Sequence, residues 1–263
     1  MDRFGWRRSR PWGADVLRAA RGVTSLALVP LATRLRYRWR LLSTRHPSLG
    51  TYGLIGTNVA VWGLYSVAPQ PRSQYGAWWR GISAPPPPSS PWPRSWLPTK
   101  EYWERHFFAS YQAVVRGHQL ETLPLCTFMH KDGQHLLFNM VTLFFFGRQV
   151  EQLLGLRRYL LLYTASGTTA AASQVAACGR REPRSYVIGA SGGVYALLSY
   201  VTCLMPRQTV MLYFVLPVPM WLLMGGLMAA DVFLVRPGEG HTGHLAGAGC
   251  GAAFFLLRYR GWR

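Results

Sequence analysis

The sequence predicts an all-α membrane protein, a bundle of six transmembrane helices. Hydrophobic residues fill 49% of its 263 positions and charged residues only 15%. The apolar residues fall in blocks separated by arginine-bearing gaps, and a helix needs about 20 apolar residues to span the hydrocarbon. Helices and closed barrels are the viable spanning structures, because lipid offers no partner to an open backbone group. The third observation is positional. Polar clusters open alternate blocks, at His130–Asn139, Gly189–Gly192 and Gly243–Gly247.

Residues 1–50 read as a basic leader. Arginines stand at 3, 7, 8, 10, 18, 21, 34, 36, 38, 40 and 45, against Asp2 and Asp15 alone. That composition, with apolar residues at helical spacing through Asp15–Leu31, is the pattern of a mitochondrial presequence. Its apolar core, Gly22–Ala32, holds Pro30 and is too short to span. Processing is expected near Arg40-Leu41-Leu42-Ser43, leaving residues 51–263 as the membrane domain. The net charge of +19 would suit nucleic acid in a soluble protein. Here the arginines cluster in the leader and at the ends of apolar blocks, where they orient and anchor spans, so no nucleic-acid partner is expected. Cys126, Cys178, Cys203 and Cys250 lie far apart without a Cys-x-x-Cys pair. Neither a disulfide framework nor a metal or cofactor is expected.

The first span runs from Thr51 to Ala68, with Asn58 turned toward other helices. An insertion over residues 69–100 follows, and its proline-rich centre, Ala84–Pro93, is expected to be extended and solvated. Tyr102–Gln119 mixes aromatics with Arg105, His106, Arg116 and His118, the composition of an amphipathic interfacial segment. The second span covers His135–Phe146 and closes through Gly147–Gly155. Spans three and four are Tyr159–Cys178 and Tyr186–Met205, joined by the basic loop Gly179–Arg184. The fifth, Val210–Val235, contains Pro217 and Pro219, so a kink is expected where the prolines remove backbone donors. The sixth is His241–Leu257.

Spans two, four and six cross in one direction, so the polar residues at their starts lie at one depth beneath one membrane face. His135 and Asn139 share a helix face, as do Ser191 and Tyr195. Gly243, Gly247 and Gly251 repeat every fourth residue and permit close approach to a neighbour, expected to be the fourth span. A serine hydroxyl becomes a nucleophile when a base within hydrogen-bond reach takes its proton, and His244 is the candidate base for Ser191. An oxyanion would need donors aimed at it. His135, Asn139 and the Ser191 N–H are the candidates. His130 and His241 read as capping or interfacial histidines. Polar groups inside spans are costly and usually functional, which favours chemistry over packing for the cluster as a whole.

These residues resemble a rhomboid intramembrane serine protease. The matching features are Gly189-Ala190-Ser191-Gly192 with Tyr195, His135-Leu136-Leu137-Phe138-Asn139 preceded by His130, Gly147 with Glu151 and Gly155, and His244-Leu245-Ala246-Gly247 with Gly251. The resemblance covers about residues 50–257, and within the family the chain looks most similar to the mitochondrial, presenilin-associated type, by its presequence, its glycine-alanine-serine-glycine form and the segment after Met205. The resemblance implies Ser191 as nucleophile, His244 as base, and His135 with Asn139 as oxyanion donors. It further implies Tyr195 packed on the His244 ring and Glu151 bracing the first loop, with Gly189 as a supporting residue. The implied reaction is cleavage of transmembrane protein substrates within the lipid bilayer. Leu120–Cys126 replaces the tryptophan-arginine pair that many bacterial members carry before the first motif histidine. Asp231, late in the fifth span, reaches the catalytic face, but a Ser-His dyad is the expectation.

Arg148, Arg157, Arg158, Arg207, Arg258, Arg260 and Arg263 join the leader on one side, which places that side in the matrix and the catalytic face toward the intermembrane space. Arg180, Arg181 and Arg184 oppose this. Two other classes fit parts of the pattern: a catalytically silent rhomboid-like protein that binds membrane helices for assembly or quality control, and a transporter with polar sites along a substrate path.

Overall fold

The computed structural model describes residues 48–69, 97–179, 182, 185–212, 215–233 and 240–260, all within one compact unit, Arg45–Arg263. The leader and its processing point, the proline-rich centre at 84–93, and Arg180, Arg181 and Arg184 lie outside the described residues.

Helix α1 is Leu49–Val67. A short helix α2, Lys100–Phe107, starts where the Thr99 side chain accepts from the Tyr102 N–H. Strand β1, Ala109–Ser110, a π-helical turn at Gln112–Arg116 and the single-turn helix α3, Thr122–Leu125, complete the segment. The next rod is one continuous helical run: α4, Gly133–Thr142, a π-helical stretch Leu143–Gly147, and α5, Arg148–Leu154. Asp132 caps its start by accepting from the His135 N–H at 2.7 Å. Gly155, at φ 77°, ends it in a backbone conformation that favours glycine. Then come α6, Leu156–Cys178, strand β2, Tyr186–Val187, and α7, Ser191–Leu204. The hairpin β3, Thr209–Leu212, with β4, Leu216–Pro219, leads into α8, Met220–Phe233, and α9, His241–Arg260, closes the domain.

Close contacts fix the directions. Gly192 meets Ala170 and Gly193 meets Tyr163, so α6 and α7 are antiparallel. Gly247 lies against Gly192 and Gly251 against the Ala196 carbonyl, so α7 and α9 run parallel. The Gln149–Gln208 side-chain bond, 2.9 Å, ties the end of the α4–α5 rod to the end of α7. The expected common direction of the second, fourth and sixth segments is present. Leu143, Tyr159, Tyr163, Leu197 and Met220 are among the most buried side chains of the core between these helices.

Gly247 and Gly251 face α7 as expected, whereas Gly243 faces α6 at the Ala170 carbonyl. At Gly251 a Cβ would collide with the Ala196 backbone, while at Gly249 it would meet nothing within 4 Å. Overpacking a close-packed site costs about 1–3 kcal/mol, occasionally more. Gly251→Ala is therefore expected to lower the thermal unfolding midpoint in detergent, and Gly249→Ala to leave it near the parent value.

Four expectations are corrected. The fourth segment is helical only from Ser191: Tyr186 and Val187 are extended, paired with Ser110 and Ala109. The fifth is not a kinked helix from Val210. Its first half is the β3–β4 hairpin with Val210 opposite Val218, and helix begins at Met220 beyond both prolines. Tyr102–Gln119 is broken into helix, strand and turn, with β1 drawn into pairing by β2. Among the described residues Glu151 holds the start of α1 and not the first loop. Its buried carboxylate accepts from the Gly50 N–H at 2.9 Å, the Thr51 N–H at 2.8 Å and the Thr51 hydroxyl at 2.8 Å, capping the otherwise unpaired start of α1.

Among the described residues no helix is long and apolar enough to cross a membrane. The reasons lie in particular segments. Helices α7 and α8 have 14 residues each, and α6 and α9 carry runs of Gly, Ala, Ser and Thr.

Candidate active site

Two chain segments bring the site together. The Gly189 N–H donates to the Cys126 carbonyl at 2.9 Å, and Gly189 then turns at φ 127°, a conformation that L side chains rarely adopt. A Cβ there would sit 2.7 Å from His135 Cε1, so the glycine is required both by backbone angle and by the imidazole beneath it. The turn places Ser191 at the first position of α7, where first-turn N–H groups have no intrahelical carbonyl to bind. His244 stands in the first turn of α9, its own N–H donating to the Gly240 carbonyl at 3.0 Å.

His244 Nε2 lies 2.9 Å from Ser191 Oγ, and His244 Nδ1 lies 3.0 Å from Asp231 Oδ1. The Asp231 side chain is 7% exposed and that of His244 22%. A carboxylate can only accept, so the Nδ1–H tautomer satisfies this pair and leaves the Nε2 lone pair for the serine hydroxyl. Tyr195 stacks on the imidazole, 4.4 Å between centroids at 12°, and its side chain also interacts with Asp231. The imidazole is thus held on its face by Tyr195 and along its edge by Asp231. The expected dyad is extended by a carboxylate. Asp231 belongs to the constellation, contrary to the sequence expectation.

A cavity of about 130 Å³ opens beside these groups, bounded by Ser191, His244, His135, Gln174, Cys126 and Gly167. His135 therefore shares the cavity with the serine. Asn139 does not line it: its Nδ2 donates to the His135 carbonyl one turn back at 2.9 Å. His130, read from the sequence as interfacial, is fully buried. Burial drives its pKa down to about 3, so it is neutral and its Nε2 accepts from the Ala190 N–H at 3.5 Å. Its ring meets that of His135 edge-on, 5.1 Å between centroids. His241 is partly buried beside Thr242. Gln174 was missed by sequence reasoning. It is 1% exposed, and its Oε1 accepts from the Gly243 N–H at 3.0 Å, securing the helix start next to His244. The available signal was a long amide side chain inside an otherwise small and apolar segment.

The arrangement can do one kind of chemistry directly. It can withdraw a proton from a serine hydroxyl and hold the resulting imidazolium against a carboxylate. A family model described as the Rhomboid domain matches residues 117–261, a stretch that contains every group named in this cavity. The chain belongs to the rhomboid family. With that, the all-α bundle is a rhomboid-like fold.

The rhomboid chain is 30% identical over 170 residues to RHOMBOID-like protein 12, mitochondrial, of Arabidopsis thaliana, covering 58% of this chain and 50% of that protein. It is 25% identical over 180 residues to Rhomboid protein 1, mitochondrial, of Saccharomyces cerevisiae, covering 66% and 41% respectively. A Bacillus subtilis protein that carries the name of a rhomboid protease, YdcA, is 37% identical over 70 residues, 26% of this chain and 33% of its own. This rhomboid chain thus spans half or less of the length of these relatives.

Proposed function

We propose that this rhomboid chain is an intramembrane serine endopeptidase of the mitochondrial inner membrane, cleaving transmembrane segments of membrane proteins. The observation that carries the proposal is the unbroken run Ser191 Oγ, His244 Nε2, His244 Nδ1, Asp231 Oδ1. Ser191 attacks the scissile carbonyl while His244 takes its proton. The imidazole then returns that proton to the leaving amine, and a water molecule, activated by the same nitrogen, hydrolyses the acyl-enzyme. The His135 ring and the first-turn N–H groups at Ser191 and Gly192 stabilise the oxyanion. Asn139 acts by holding the carbonyl of His135, a change from the direct role the resemblance implied.

The membrane setting rests on family membership and on the mitochondrial names of two relatives. Helix α7, at 14 residues, rises about 21 Å, short of a hydrocarbon core of about 30 Å. A strand and a glycine turn make up the remaining depth, which is tolerated because they are packed in protein or line a polar cavity. Ser191 then lies below the bilayer surface, with six segments crossing and the arginine-rich end in the matrix.

A fluorophosphonate probe tests the chemistry without a known substrate. Applied to the reconstituted chain, it is expected to form an adduct mapped by mass spectrometry to the Ser191 peptide and competed by a serine-protease inhibitor. No adduct on Ser191 would favour a silent helix-binding protein instead.

A further inference from the structure

We propose that the β3–β4 hairpin is a membrane-interface anchor, lying in the boundary between headgroups and acyl chains at the end of the bundle opposite Ser191. The proposal rests on the membrane setting argued above and names one partner, the lipid bilayer.

Position comes first. The hairpin follows the last turn of α7, a 14-residue helix that begins at Ser191, and its base is bound to α8 by the Met220 N–H on the Gln208 carbonyl and the Trp221 N–H on the Pro206 carbonyl. It sits at the end where Arg148, Arg157 and Arg158 flank the α5–α6 junction and where α9 ends beyond Arg258.

Composition comes second. Val210 and Val218 are opposite each other and turn toward the protein, with Val218 9% exposed. The other face carries the pair Met211 and Pro217. Met211 is 53% exposed, Val215 79% and Leu216 56%, and Trp221 at the base is 56% exposed. No residue from 210 to 219 is charged. A two-stranded hairpin facing water is marginally stable, and exposed edges are ordinarily protected by charge. Apart from Thr209 at its base this one is apolar on both faces, so lipid is the solvent that suits it.

Depth comes third. An open strand edge is excluded from the hydrocarbon centre because its backbone groups would be unpaired. Pro217 and Pro219 lack two of those donors, which lowers the cost of approaching the acyl chains without removing it. Exposed Arg207 and Trp221 bracket the hairpin with the two residue types that settle at the headgroup level.

The test places an environment-sensitive fluorophore on Val215→Cys, or in a second chain on Met211→Cys, in a full-length background carrying Cys203→Ser and Cys250→Ser. A third chain is labelled at Ala165→Cys, an exposed position in mid-α6. Each is reconstituted in vesicles of phosphatidylcholine with anionic lipid, with bromines placed either near the headgroup or deep in the acyl chains. The hairpin labels are expected to lose emission chiefly to the shallow bromines, and the α6 label to the deep ones. If the α6 label is quenched by lipid and both hairpin labels only by aqueous iodide, the anchor is overturned and the membrane setting stands. If lipid quenches none of them, both fall.

Discussion

Asp231→Asn is expected to slow cleavage of a reconstituted transmembrane substrate by about 10⁴-fold, the loss seen when the carboxylate of a Ser-His-Asp unit becomes an amide. The reason lies in the tautomer. The carboxylate can only accept, so it holds the proton on His244 Nδ1, across 3.0 Å. An asparagine amide can instead donate to that nitrogen, which puts the proton on Nε2, facing Ser191, where a lone pair is needed. The effect falls on kcat and leaves KM near its parent value, because Asp231 is 5% exposed and meets the imidazole instead of the substrate. Tyr195 still stacks on the ring, so the folded state is retained and an unchanged unfolding midpoint accompanies the loss. If hydrolysis falls less than about tenfold, His244 works as half of a dyad, and its orientation comes from Tyr195 stacking and from the Gln174 cap on Gly243.

The sequence shows why this carboxylate was the hard residue to see. Ser191 and His244 announce themselves by small neighbours, and His135 by its helical phase with Asn139. Asp231 sits 13 positions before His244 across a stretch containing Pro237, Gly238 and Gly240, and no periodicity carries phase through such a break. The hairpin was hidden for a related reason. Uniform apolarity from Val210 onward gives no contrast from which to tell a period of two from one of 3.6, and a proline pair inside an apolar run also fits a kinked helix. Prolines two positions apart, with a β-branched residue between them, are a strand spacing. For Glu151 the motif gives the residue's presence and not its partner. The partner is the N-terminus of α1, 100 positions earlier in sequence. What periodicity did carry was the helix contact at Gly247 and Gly251, since close approach at every fourth residue follows from helix geometry alone. The common direction of alternate segments needed only a count of crossings.

Ser191→Ala is expected to reduce hydrolysis by about 10⁶-fold, His244→Ala by a similar factor, and the double variant by little more, because members of one nucleophilic unit act together and their losses do not add. The residual rate comes from substrate binding and the oxyanion donors, which neither change touches. Alanine at 191 removes one oxygen from a cavity wall, so the fold and the Asp231–His244 pair remain, and substrate helices should still be captured. That retention is what makes the measurement decisive between the two readings of this rhomboid. An enzyme loses turnover and keeps binding, and the Ser191→Ala chain accumulates uncleaved transmembrane protein. A silent helix-binding protein gives the same binding before and after the substitution, with no turnover in the parent to lose.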